Sequence, residues 1–282
     1  MSTTGRDYLR HWGLAEPPFL IEPDPRFAYE RSDHREALAR MLFGLTQLGG
    51  LVLITGEIGC GKTMLAETLR GMLSGGGYRI VAVPNPPRTS AALLGALLEA
   101  AGGPVAGGSA ARLSGLVREQ LADAAAHGQR VVLAIDEAQR LDARALDEVR
   151  MLTNPGSGGS APTVLLGQPE LSTHIGRYPQ VAQRVVVRFH LQPMNAEEVE
   201  GYIGHRSRVA GSPRRLFTRR ATAAVHEETG GTPRLVNLLC ANALFVGAAR
   251  SEDQIGADTI RDLAEDRRRS EHLADRGHNE RS

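Results

Sequence analysis

Residues 51–63 read LVLITGEIGCGKT, an apolar run, a glycine-rich turn and the only lysine in the chain; every other Lys-plus-Arg position is arginine. The run Leu51–Thr55 has the continuous apolar character of a strand buried on both faces. Gly56–Thr63, GEIGCGKT, fits G-x-x-x-x-G-K-[ST], and a helical pattern from Thr63 to Leu73 follows it. Each part has a physical task. The glycines let the backbone wrap around phosphates and turn successive N–H groups toward them. A helix beginning at Lys62 adds its positive N-terminal end. Lys62 puts a compact charge between the β- and γ-phosphates, and the Thr63 hydroxyl is placed to hold Mg²⁺. A guanidinium is a wide planar fork that cannot fold into so small a pocket. That accounts for one lysine in a chain that otherwise writes arginine. Gly56, Glu57, Ile58, Gly59, Cys60, Gly61, Lys62, Thr63 and Met64 are therefore the candidate nucleotide-binding residues, Cys60 by its backbone more than by its thiol. A glycine-rich turn that matches by chance is the alternative, and the strand–loop–helix context argues against it.

Working outward, the alternation repeats. RIVAVP is a strand and Ser90 to Ala101 a helix; a second helix runs from about Ala110 to Ala126. RVVLAID is the next strand, Asp142 to Leu152 the next helix, TVLLG a strand, and short helical pieces from Glu170 to Gln183 lead into RVVVRFHL. Five apolar strands alternating with helices predict a mostly parallel α/β sheet. The run RVVLAIDEAQRL puts Asp136 and Glu137 at the end of a buried strand, where Asp136 would reach Mg²⁺ through its water shell and Glu137 would polarise an attacking water. In a parallel sheet the carboxyl ends of the strands form the ligand crevice, so both motifs face one site. The competing role for these acids is the N-cap of the next helix. Taken together they predict an ATP-binding P-loop fold.

The flanks differ from this core. The first thirty residues are rich in proline and aromatics (HWGLAEPPFLIEPDPRFAY) and read as an extended lead-in that packs by its rings. SDHREALARMLFGLTQ then has helical spacing, with Ser32 or Asp33 as N-cap. After Pro193 only helical periods remain, broken at AGSPRR and GGTP, and the tail DRRRSEHLADRGHNERS has little to bury. The domain plan is a lead-in and helix over 1–49, an α/β core over 50–193, a small helical lid over 194–265 and a disordered tail or frayed helix over 266–282.

Composition excludes several function classes. A formal net charge of +1 exerts no global pull on nucleic acid or anionic lipid. Cys60 and Cys240 have no metal-type spacing and read as reduced thiols. The N-terminus lacks the apolar region of a signal peptide, and no run approaches a membrane span. These features predict a cytoplasmic protein. The cluster SPRRLFTRR, Ser212 to Arg220, is the local candidate for nucleic-acid contact; a solvated turn between helices is the competing reading.

The pieces HWGLAEPPF, PDPRFAY, HREALARMLFGL, GEIGCGKT, IDEAQRL, LLGQPEL, QRV and GTPRLVNLLC, spread from Tyr8 to about Ala249, resemble the AAA+ ATPases of the ExeA/GspA type, the general secretion pathway group. The core is also similar to MuB/TnsC-type transposition ATPases. The resemblance implies a five-stranded P-loop core with a helical lid, ATP and Mg²⁺ as ligands, and hydrolysis of ATP to ADP and phosphate. It implies catalytic roles for Lys62 and Glu137 and a sensor-1 role for Gln168, which by its own chemistry could equally cap the helix after Pro169. Arg184 resembles the arginine finger that completes a neighbour's site, with Arg177 and Arg188 as rivals. Arg234, in GGTPRL, resembles sensor 2, and the region from Tyr29 to His34 is implied to lie near the adenine. Expected partners are further copies of the chain, a membrane protein of a secretion or pilus-type assembly system, or duplex DNA. The function implied is an oligomeric ATP-driven switch; a DNA-bound regulator of a recombinase and a weakly hydrolysing scaffold are the alternatives. Secretion members of the family continue into a membrane span, whereas this sequence stops after the lid, so a membrane role is expected to need a partner. The loop NPGSGGSAP, with Gly156–Ser160 at its centre, is shorter and more glycine-rich than the family's usual one.

Overall fold

The computed structural model describes residues 7–20, 22, 24–104, 107–154 and 159–279. Two units emerge, one formed by residues 32–192 and the other by 1–31 together with 193–282. The chain passes between them at Arg31/Ser32 and at Gln192/Pro193. The first boundary therefore falls well before residue 49, and the proline-rich lead-in groups with the helical segment.

The central unit is built on five parallel strands: β1 Leu51–Gly56, β2 Tyr78–Val83, β3 Arg130–Ile135, β4 Thr163–Gly167 and β5 Val185–Leu191, in the order β2-β3-β4-β1-β5. Strand β1 is buried along its whole length, as its unbroken apolar run requires. Strand β5 lies at the sheet edge with alternating exposure, and its sequence breaks the apolar run with Arg188 and His190. The helices are α2 Ser32–Phe43, α3 Lys62–Ser74, α4 Ser90–Ala100, α5 Ala110–Ala126, α6 Ala143–Leu152, α7 Glu170–Gly176 and α8 Pro179–Ala182. They cover the sheet as two apolar clusters, one around Leu53, Leu97, Val149 and Leu165, the other around Ile54, Leu69, Val132 and Leu166. Alternate residues of β1 go to opposite clusters, as the period of a strand dictates.

Local chemistry sets the helix starts. Ser109 accepts from the Arg112 amide at the head of α5, and Asp142 accepts from the Ala145 amide at 2.8 Å at the head of α6. The helix expected to run through Gln47 changes character: α2 ends at Phe43 and a π-helical turn occupies Gly44–Leu48, closed by left-handed Gly49. Such wide turns are local insertions in α-helices. Asp33, an expected cap of α2, accepts instead from the Gln192 amide (2.9 Å). Of the glycine-rich loop after α6, residues 155–158 lie outside the described residues.

The helical unit contains α1 Asp7–Trp12, α9 Ala196–Val209, α10 Arg219–Thr229, α11 Pro233–Ala249 and α12 Ala257–Asn279. Helix α9 opens on a full capping box between Asn195 and Glu198. The lead-in does pack by its rings: Trp12, Phe19 and Phe27 are buried among Tyr202, Phe217, Leu244 and their neighbours, and the Trp12 indole N–H donates to the Leu244 carbonyl at 2.8 Å. It is not wholly irregular, because Asp7–Trp12 form a helix. Two buried arginines fasten it. Arg31 bonds to the Glu198 carboxylate and the Pro193 carbonyl. Arg206 donates to the carbonyls of Pro18 and Leu20 and to the Tyr202 hydroxyl. Of the two expectations for the tail from 266, disorder or a helix, it is helical as far as Asn279, with Arg268 paired to Glu228 at 2.7 Å; residues 280–282 lie outside the described residues.

Candidate nucleotide site

The carboxyl end of β1 turns into the glycine-rich loop. Gly59 (φ 80°) and Gly61 (φ 103°) take left-handed backbone, and helix α3 starts directly after the second. At Gly61 a side chain would meet both strain and crowding, since a Cβ would sit 3.1 Å from the His34 ring. Lys62 is buried, and its ammonium folds back over the loop, donating to the carbonyls of Gly56 (2.7 Å) and Glu57 (2.9 Å). Cys60 is buried with Sγ 3.9 Å from the same nitrogen, while Ile58 is exposed at the loop tip. Both cysteines are free thiols, and burial pushes the Cys240 thiol far above its ordinary range.

Strand β3 delivers the second motif. The Thr63 hydroxyl donates to Asp136 Oδ2 at 3.0 Å across 73 residues of sequence. The other oxygen, Oδ1, accepts from the Glu137 amide at 2.8 Å. Glu137 lies in the left-handed region (φ 51°, ψ 33°), a conformation that costs a non-glycine residue roughly 1 kcal/mol or more. A short 3₁₀ turn, Ala138–Arg140, follows. The cap of α6 is Asp142, so neither Asp136 nor Glu137 caps it.

Strand β4 lies between β1 and β3, which brings Gln168, just past its end, between the two motifs. The Gln168 amide donates to Gln139 Oε1 (3.2 Å), and Gln139 Nε2 donates to Glu137 Oε2 (2.6 Å). Sequence reasoning passed over Gln139; its position two residues after an Asp-Glu pair is the only signal it gave. Helix α7 has no side-chain cap, and its first turn is closed by the Leu171 amide on the Gln168 carbonyl.

The three candidate finger arginines lie apart from this cluster. Arg184 is half-buried just before β5, and its carbonyl accepts from the Leu51 amide at the start of β1 (3.0 Å). The six residues of β1 therefore separate it from the phosphate loop of its own chain, about 20 Å at strand rise. Arg177 is exposed at the end of α7, and Arg188 is exposed on β5. Arg234 belongs to the helical unit, exposed on the first turn of α11 after Pro233. Tyr29 and His34, expected near one base, fall in different units: Tyr29 packs on Tyr202 and His205, His34 on Gly61.

The oxygen donors Thr63 and Asp136 suit a hard cation. Among the described residues no group of three or more His, Cys, Asp or Glu forms a metal cage. Magnesium is characteristically held by one or two protein oxygens, waters and substrate phosphates, so the pair fits it.

The chain is similar to known proteins. A family described as AAA domain matches residues 46–175, the span that contains both motifs and β4. General secretion pathway protein A of Aeromonas hydrophila is 38% identical over 254 residues, which is 88% of this chain and 46% of that protein. The chain thus spans about half the length of this curated relative. Among solved structures, the Aeropyrum pernix ORC2 protein in its ADPNP–ADP complexes is similar at a TM-score of 0.62 and 18% identity, over 93% of this chain and 72% of that one. The Aeropyrum pernix ORC1 protein in complex with DNA is similar at a TM-score of 0.66 and 19% identity, over 89% and 69%. Identities this low establish a common fold.

Proposed function

Because the chain belongs to the AAA-domain ATPases of the General secretion pathway protein A type, we propose that it binds ATP at the carboxyl end of its sheet, hydrolyses it, and works as an oligomeric switch in secretion or envelope assembly. The observation that carries this is the Thr63–Asp136 hydrogen bond beside the inward-turned Lys62. It brings the phosphate loop and the acidic strand end to one point.

Lys62 exchanges its two carbonyl partners for the β- and γ-phosphate oxygens of the substrate. Thr63 and, through a water, Asp136 would hold Mg²⁺, which when bound would supply positive charge against the phosphates. Glu137 takes a proton from the attacking water as its oxygen bonds to the γ-phosphorus. The bond from that phosphorus to the bridging oxygen breaks, ADP departs, and the proton passes on to the released phosphate. Gln168 orients the same water, and Arg234 keeps the sensor-2 role that the resemblance implies. Arg184 is too far from its own phosphate loop to act there, so it serves a neighbouring copy, which makes hydrolysis depend on assembly.

No helix among the described residues is long and apolar enough to cross a membrane. A membrane-protein partner is the proposed link to the envelope. The second reading, a DNA-bound regulator of a recombinase, draws support from Arg214 to Arg220. Within that cluster Arg215 pairs with Glu200, while Arg219 is largely exposed 3.7 Å from the same carboxylate.

The test is phosphate release from ATP. Glu137→Gln is expected to keep nucleotide affinity and abolish turnover, and Lys62→Ala to lose affinity. Turnover by Glu137→Gln equal to the parent would refute the assignment of the base. A rate stimulated by duplex DNA in a salt-sensitive way would favour the second reading over the first.

A further inference from the structure

We infer that Gln139 is a positioning residue for hydrolysis: its side-chain amide holds the Glu137 carboxylate at a fixed point relative to the β4–α7 turn. This rests on the proposed role of Glu137 as base. The amide makes two bonds with opposite polarity, accepting from the Gln168 backbone N–H at 3.2 Å and donating to Glu137 Oε2 at 2.6 Å. Only one orientation satisfies both. Rotated by half a turn, the NH₂ would face a backbone N–H and the carbonyl oxygen would face a carboxylate.

The frame on either side is rigid. Ala138 and Leu141 are buried, and the His174 ring bonds to the Leu141 carbonyl at 2.9 Å. Gly167 leaves the room that Gln139 needs, because a Cβ there would stand 2.6 Å from Gln139 Oε1. Glu137 itself sits in strained left-handed backbone, a conformation held by its surroundings. With Oε2 occupied by Gln139, Oε1 is the oxygen left for the water. Any displacement of the β4–α7 turn is transmitted to that oxygen by a backbone bond, so the position of the turn is read directly at the base. The Gln168 side chain is not needed for this link.

Two near-isosteric variants separate positioning from simple packing. Gln139→Met removes both bonds. Gln139→Glu keeps an acceptor for the Gln168 N–H but sets a second carboxylate against Glu137. Gln139→Glu therefore keeps the link to the turn but no longer holds the base. The expected result for Gln139→Met is a kcat roughly tenfold lower, a part of what a general base contributes, with KM and ATP affinity unchanged. For Gln139→Glu kcat falls at least as far, again at unchanged KM. Glu137→Gln is measured beside them. If it is inactive while Gln139→Met and Gln139→Glu keep the parent kcat, or lose ATP affinity together with kcat, the inference is overturned and the base assignment stands. If Glu137→Gln turns over like the parent, the base assignment fails and takes this inference with it.

Discussion

Replacing Arg206 by methionine tests how the N-terminal segment is held to the helical unit. Arg206 is 4% exposed, with Nε on the Pro18 carbonyl at 2.6 Å, Nη1 on the Tyr202 hydroxyl at 2.8 Å, and the guanidinium 5.0 Å from the centre of the Phe27 ring. Methionine fills much of the same volume but leaves Pro18 without this donor. Tyr202 keeps its bond to Asn237 Oδ1 and loses the incoming one, while the Leu20 carbonyl retains the Asn237 amide. Each charge-assisted bond is worth about 1.5 kcal/mol net, and the ring contact about 1 kcal/mol. The expected loss is therefore about 3–4 kcal/mol. At an m-value of about 2 kcal/mol/M, the urea midpoint drops by roughly 1.5–2 M. Trp12 is the only tryptophan and is 1% exposed within this unit, so its fluorescence reports the transition directly. Arg206→Lys should fall between the two, since one ammonium cannot match three acceptors arranged for a planar fork. Desolvation of the guanidinium opposes these gains. A methionine variant with its midpoint within about 0.3 M of the parent would show that desolvation cancels the bonds, and would refute the reasoning.

Gly61→Ala places a Cβ 3.1 Å from the His34 ring at φ 103°, and is expected to cost at least about 1–2 kcal/mol and to weaken ATP binding at least tenfold; calorimetric titration of nucleotide checks it, and parental affinity would contradict the tight-turn argument. Desolvation, and then the charge of Arg208, hold the His205 imidazole below its ordinary pKa, and its Nε2 is buried without a hydrogen-bond partner. The neutral ring is thus favoured by folding, so stability is complete above the unfolded value of about 6.5 and is lost as pH falls through the lower folded value. Thermal melting between neutral and acid pH should show this slope in the parent and a flatter one in His205→Gln; equal slopes would assign the acid sensitivity elsewhere.

Much of the fold was legible because its signals are local. The run LVLIT, the alternation of strand and helix, and the Gly-Lys-Thr turn are each decided within about ten residues, by burial on both faces or by backbone freedom. The caps at Ser109, Asp142 and Asn195 rest on equally local chemistry, although only Ser32 and Asp33 were read as caps from the sequence. Taken alone, Asp136 and Glu137 suit a cap as well as a cation site, and pairing with the glycine-rich motif is what favoured the cation site in the sequence. The contact itself, Asp136 against Thr63, comes from the order β2-β3-β4-β1-β5. The same order inserts Gln168 between them and makes Gln139 a bridge. The arginines show the limit most plainly. In a chain that uses arginine almost everywhere for positive charge, composition predicts solvated side chains, yet Arg31 and Arg206 are buried and fasten an N-terminal segment to residues more than 160 positions away. A buried charge is tolerated only where several acceptors converge on it. Convergence of distant carbonyls is a property of the folded chain, and no window of sequence contains it.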